Sequence, residues 1–167
     1  FEESFQKAIR SLEIGYSGWG CDREEPLIES IEIDRLLRVP SPDRIFAIRT
    51  AIINGKTDEE ISELSHIDIW FLSKLRNLIH LQQSYLTNTQ LDSLNPNDLF
   101  ELKKYGFSDK QIAWATNSSE FDVRNLRKKF SIKPIYKTVD TCAAEFASDT
   151  PYYYSTYELP IKRINSK

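Results

Sequence analysis

GKTDEEISELSHIDIWFLSKLR, Gly55 to Arg76, is the stretch that decides how this chain folds. It reads as a glycine stop, a hydroxyl cap, an acidic first turn and then apolar residues at helical spacing. Thr57 followed three residues later by Glu60 is a capping box: the hydroxyl takes one orphan amide and the carboxylate returns to the cap amide. Ser65 with Asp68 reads as the start of a second, longer helix. Along it Phe71, Leu75, Leu78, Gln82 and Tyr85 trace one stripe, which Ile67, Trp70, Leu72 and Ile79 widen. So wide a stripe predicts burial on more than one side. Trp70 and Phe71 are therefore expected in the core, with a docking surface as the sharper alternative.

The pattern recurs 51 residues later (106 − 55) as GFSDKQIAWATNSSEFDVRNLR, Gly106 to Arg127. The matched pairs are Gly55/Gly106, Thr57/Ser108, Asp58/Asp109, Ile61/Ile112, Ser65/Thr116, Leu75/Leu126 and Arg76/Arg127. Each copy says stop, cap, short helix, turn, second helix. The plain reading is two helical hairpins that solve one local problem with the same residues; a duplication is the alternative. Trp114, in the second copy, is expected in the core.

Elsewhere the start marks are as clear. Ser41-Pro42 places a hydroxyl cap before a proline at the first helical position, and Asn95-Pro96 opens another helix that Gly106 ends. Ser108-x-x-Gln111 and Ser119-x-x-Asp122 open two more. Phe1, Phe5, Ala8, Ile9 and Leu12 share one face of a helix at the start of the chain. The segment GYSGWGCDREEP, Gly15 to Pro26, breaks the pattern and reads as a loop. Trp19 within it is expected to anchor against a neighbouring surface, as loop indoles often do. After Phe130 the helical period is lost; Ile135, Val139, Phe146 and the tyrosines suit extended segments, with one short strand pair. The fold expected is all-α: a multi-helix domain of two small helical subdomains with a short extended C-terminal segment.

The chemistry the sequence excludes is as informative. Across 167 residues the net charge is −3, which argues against a domain whose main task is to hold a nucleic-acid backbone. Short helix, turn and longer helix is nevertheless the outline of a helix-turn-helix DNA reader, and Arg124, Arg127, Lys128 and Lys129 give the second copy a basic end. Cations in a last helical turn answer the helix dipole, which is the simpler account. His66 and His80, if on one helix, lie about 21 Å apart at ~1.5 Å per residue, too far for one zinc. Asp22 to Glu25 and Glu59-Glu60 read as solvated or capping charges. There is no glycine-rich phosphate loop, no nucleophile elbow, no apolar run long enough to span a membrane and no signal-peptide pattern. Cys21 and Cys142, far apart, are expected as reduced thiols. The chain holds no methionine and opens within a helical pattern, so a piece of a longer protein is expected.

Three segments carry a resemblance. FEESFQKAIRSLE at the start, GKTDEEISELSHIDIWFLSKLRNLI in the middle and IYKTVDTCAAEFASDTPYYYSTYE at the end resemble the large subunit of carbamoyl-phosphate synthetase, in its central helical, or oligomerization, domain. IDIWFL, KKYGFSDKQIA and VDTCAAEF match most strongly, and GYSGWGCDREEPLIESIEI least. The resemblance implies a domain over residues 1–158, with 159–167 as the linker toward a second ATP-grasp half. It implies a parent ligase that makes carbamoyl phosphate from bicarbonate, glutamine-derived ammonia and two ATP, for arginine or pyrimidine synthesis. ATP and Mg2+ or Mn2+ would bind elsewhere in that parent. The segment itself would have no catalytic, cofactor or metal residues and no activity alone. The implied partners are the flanking ATP-grasp halves, other large subunits and the small glutaminase subunit, with neither nucleic acid nor membrane, in the cytoplasm or an organelle. The stretch VDTCAAEFASDTPYYYSTYE then reads as a docking seam: Cys142-Ala143-Ala144 for close approach, and Tyr152, Tyr153, Tyr154 and Tyr157, together with Trp19, as interface residues.

Overall fold

The computed structural model describes residues 1–22, 28–139 and 152–158. Within them are eight α-helices: α1 (Glu2–Ser11), α2 (Ser30–Arg38), α3 (Arg44–Ile53), α4 (Asp58–Ser65), α5 (Ile69–Tyr85), α6 (Pro96–Lys104), α7 (Asp109–Ala115) and α8 (Glu120–Lys129). A 3-10 turn at Leu91–Ser93 joins α5 to α6. One antiparallel pair, β1 (Ile135–Val139) and β2 (Tyr152–Thr156), follows, with Ile135 opposite Thr156 and Val139 opposite Tyr152. The mostly helical architecture and the strand pair agree with the sequence reading. Phe146 and Cys142-Ala143-Ala144 lie outside the described residues.

The caps explain where most helices begin. Thr57 Oγ1 accepts from Glu60 N at 3.2 Å, and the Glu60 carboxylate accepts from Thr57 N at 2.7 Å. Ser108 with Gln111 and Ser119 with Asp122 form the same reciprocal box. Asn95 Oδ1 accepts from the amides of Asn97 and Asp98, with Pro96 at the first helical position. Two starts are corrected. Asp68, not Ser65, caps α5, its carboxylate accepting from Trp70 N at 2.8 Å. Ser65 belongs to the last turn of α4, where its hydroxyl donates back to Ile61 O. Likewise α3 begins at Arg44, after a turn in which Arg44 N donates to Ser41 O, so Ser41-Pro42 precedes the helix by a turn.

The internal echo extends to the contacts. Arg76 Nε donates to Asp58 Oδ1 at 2.8 Å, and Arg127 Nε donates to Asp109 Oδ1 at 2.8 Å. Ile61 and Ile112 are both fully buried, as are Leu72 and Val123 at the next matched position. Ser65 and Thr116 each return a hydroxyl hydrogen to the matched isoleucine carbonyl. His66 and Asn117 both take the left-handed conformation that ends the short helix. Gly55 and Gly106 end α3 and α6 with φ of +88° and +89°, where a side chain is strained. The hairpins α4-α5 and α7-α8 thus repeat one local arrangement, each preceded by a glycine stop.

The two glycines differ in surroundings, which gives a test. A Cβ on Gly55 would meet open space, whereas one on Gly106 would lie 2.9 Å from Glu3 Cα. Gly55→Ala is expected to cost ~1 kcal/mol from left-handed strain alone. Gly106→Ala must also push α1 away, and should cost at least ~1 kcal/mol more. Urea unfolding of both variants would check this; equal losses would mean that α1 does not press on the turn.

One apolar cluster runs through the described chain, from Ile9 on α1 through Ile48, Leu72 and Leu78 to Leu99, Ile112 and Ile132. The glycine loop is part of it. Trp19 is 1% exposed, its indole Nε1 donates to Ile45 O at 3.0 Å, and its ring packs edge-on against Phe5. The expectation that Trp19 reaches a neighbouring surface is therefore corrected: its contacts are spent inside this chain.

Candidate interaction surface

At the N-terminal end of α5, three aromatic rings stand half in solvent. Trp70 is 52% exposed, and Phe71 and Phe1 are each 43% exposed. The reason is helical phase: Leu72, Leu75, Leu78 and Ile79 take the buried side of α5, which turns Trp70 and Phe71 outward. The core placement expected for both residues is thus overturned. The rings hold each other, with Phe1 5.5 Å from both Trp70 and Phe71, Trp70 edge-on to Phe71 at 5.0 Å, and Phe5 stacked on Phe1 at 5.8 Å. Lys74 Nζ lies 5.4 Å from the Trp70 ring, and Ile69 extends the apolar face. Trp114, also expected in the core, is half exposed on α7. Exposed aromatic clusters of this kind mark contact surfaces.

Because Trp70 and Phe71 are so exposed, their removal should leave folding nearly intact. Trp70→Ala and Phe71→Ala are each expected to change unfolding free energy by less than about 1 kcal/mol. A loss of ~3 kcal/mol in denaturant titration would be the signature of a buried ring instead.

A second feature lies on the other side of α1. A cavity of about 240 Å³ is lined by Glu3, Lys7 and Arg10 of α1, Lys103 of α6, Asp109 of α7, Arg127 of α8 and Tyr157 after β2. The capping box at Ser108 sets where α7 begins and so places Asp109 in its lining. Asp109 is shared: Lys103 Nζ donates to Oδ1 at 2.8 Å, and Arg127 Nη2 to Oδ2 at 2.5 Å. Burial alone would raise the Asp109 pKa, but the hydrogen bonds from Arg127 and the charge of Lys103 hold it below the usual carboxylate range. Lys103 also donates to Phe107 O at 2.6 Å, and burial pushes its ammonium down to about 8.

The end of β2 borders this cavity. Thr156 Oγ1 donates to Glu3 Oε2 at 2.7 Å, and Lys7 donates to the carbonyl of Ser155. The Tyr157 ring lies 5.3 Å from Lys103 Nζ and 5.8 Å from Arg127 Cζ, within cation–π range. Of the residues expected at an interface, Tyr157 is thus half-buried against its own chain. Tyr152, Tyr153 and Tyr154 are exposed on β2. Sequence reasoning missed Phe1 as a surface ring and missed the cavity altogether. Arg127 is committed to Asp109, which removes one cation from the basic end that suggested a DNA reader. Among the described residues, no group of three or more His, Cys, Asp or Glu side chains could hold a metal ion, and no helix is long and apolar enough to cross a membrane.

Residues 1–131 match the family described as carbamoyl-phosphate synthetase large chain, oligomerisation domain, and the chain belongs to that family. It is 52% identical over 158 residues to the carbamoyl phosphate synthase large chain of Nostoc sp., a match covering 95% of this chain and 14% of that one. It is 51% identical to the arginine-specific, chloroplastic large chain of Arabidopsis thaliana, covering 95% and 13%. With the large chain of Archaeoglobus fulgidus identity is 45%, covering 100% and 16%. The chain thus spans about one seventh of the length of these relatives. The family assignment leaves the DNA-binding alternative without support.

Proposed function

We propose that this chain is the non-catalytic connecting block of a carbamoyl-phosphate synthase large chain, and that its work is to hold neighbouring parts of that assembly in fixed relation. The observation that supports this most directly is the ring cluster of Phe1, Trp70 and Phe71, left half in solvent by a helix whose other side is fully used. The domain extends over residues 1–158, and 159–167 lead on toward a second ATP-grasp half. It comprises two helical subdomains, one per copy of the repeated arrangement. The parent enzyme uses bicarbonate, ammonia from a glutaminase subunit and two ATP with Mg2+ or Mn2+, in arginine or pyrimidine synthesis, in the cytoplasm or an organelle. A labile intermediate passed between two catalytic halves needs those halves held at constant separation, and a rigid helical block meets that need. Other large subunits, and the exposed tyrosines of β2, provide the further contacts of an oligomer.

Oxidative footprinting of the peptide containing Trp70 and Phe71 tests the reading. In the isolated 167-residue chain this peptide should be modified readily; in the full-length large chain it should be protected. Equal modification in both would remove the aromatic face as a contact. The isolated chain should also hydrolyse no ATP, and turnover above background would overturn the scaffold role.

A further inference from the structure

The cavity beside α1 carries more positive charge than its walls answer. Among the described residues four cations line it, Lys7, Arg10, Lys103 and Arg127, against two carboxylates, Glu3 and Asp109. Lys7 is paired with Glu3, while Lys103 and Arg127 share Asp109. Arg10 has only carbonyls: among the described residues its guanidinium donates to Gly106 O at 2.9 Å and Ser17 O at 3.4 Å, both from Nη1. Burial pulls its pKa down, with Glu3 opposing. A cleft lined by a surplus of about two positive charges raises the local concentration of anions.

The internal repeat shows that the fold does not require this surplus. Lys103 on α6 corresponds to Ile52 on α3, 51 residues earlier, and both are 6% exposed. The first copy fills the position with an apolar side chain. It still keeps its glycine stop, its capping box and its Arg76–Asp58 pair. A buried lysine in the second copy is therefore an addition to the arrangement. It stands beside the space that α1, α8 and the end of β2 line.

We propose that this cavity binds a small, doubly charged oxyanion of the phosphate class. Its charge matches the surplus. Arg10 offers the unspent donors, and Lys7 and Lys103 supply point charges from α1 and α6. At about 30 Å³ per water, a 240 Å³ space holds on the order of eight waters, enough for a tetrahedral oxyanion and part of its hydration shell. Tyr157, through its ring contacts to Lys103 and Arg127, ties the occupied site to β2, so anion binding should steady the strand pair as well. This inference does not depend on which surface the aromatic rings meet.

The test is amine labelling of the full-length large chain, read lysine by lysine by mass spectrometry. Inorganic phosphate is titrated against potassium chloride of equal ionic strength. Phosphate at ten times its half-saturating concentration should slow labelling of Lys7 and Lys103 roughly tenfold, since the free site falls in that proportion. Exposed Lys110 and Lys128 should not respond. Arg10→Gln should abolish the protection; if that variant fails to fold, Lys7→Gln, at a more exposed position, should weaken it. Identical rates in phosphate and chloride would overturn the proposal. Protection that survives Arg10→Gln would place the anion elsewhere, with the same consequence.

Discussion

Asp109→Ala is expected to destabilise the domain by ~3–5 kcal/mol, because it leaves two buried cations facing each other without their shared anion. The side chains involved are nearly enclosed, with Lys103 7%, Asp109 11% and Arg127 15% exposed. The effect depends on pH in both directions. Asp109 titrates below its unfolded value in the folded chain, so its contribution is present above about pH 4 and is lost as pH falls through the folded pKa. Lys103 behaves oppositely. Burial brings its folded pKa down to about 8, so the folded chain releases that proton before the unfolded chain does. Stability from this group therefore rises between about pH 8 and the unfolded lysine value near 10.4. In Asp109→Ala, Lys103 loses the carboxylate that holds its proton and can go neutral more easily. The penalty of the substitution should accordingly be smaller at pH 9 than at pH 7. Urea titrations of both proteins at the two pH values would check this, and a penalty that did not change would mean that the lysine is not coupled to the carboxylate.

Trp19→Ala should cost ~3–5 kcal/mol, as large-to-small changes of enclosed rings do. The loss has two parts: the cavity left against Phe5, and the carbonyl of Ile45 left without its indole donor. Thermal unfolding followed by far-UV circular dichroism would report it. A variant as stable as the parent would return the indole to the role of a surface anchor. Trp70→Ala should be nearly silent in the same experiment, so the two tryptophans make a matched pair.

Their contrast shows what could be read from the sequence and what could not. Helix ends were legible where a side-chain oxygen sits three residues before Glu, Gln or Asp, because the capping box is a local bond that no distant contact alters. The start of α5 was misplaced because Ser65, Asp68 and their neighbours offer two hydroxyl-or-carboxylate caps in succession. Only the left-handed turn at His66 decides between them. Apolar type alone points Trp70 and Phe71 inward, but type does not fix environment. The phase of α5 is set instead by the four aliphatic residues that meet the core. Trp19 was placed outward because glycines on either side suggested freedom. In the fold Gly18 permits close approach: a Cβ there would lie 2.3 Å from the Gln111 amide oxygen. The repeat was legible as matched residues, yet its Asp–Arg pairs, 18 residues apart in each copy, emerge only when the two helices are seen side by side. The cavity was illegible, since its walls come from five separate segments.

The first helix has a mechanical consequence. Glu2 accepts from Asn77 of α5 at 3.1 Å, Gln6 accepts from the Trp19 amide at 2.7 Å, Glu3 holds Thr156, and Arg10 holds Gly106. Successive side chains along ten residues are thus fastened to the long helix of the first copy, the glycine loop, the strand pair and the turn of the second copy. A helix gripped on so many sides behaves as a shaft. Torque along it would pass to those four neighbours together rather than being absorbed by a local bend, making the block stiff to twisting about that axis.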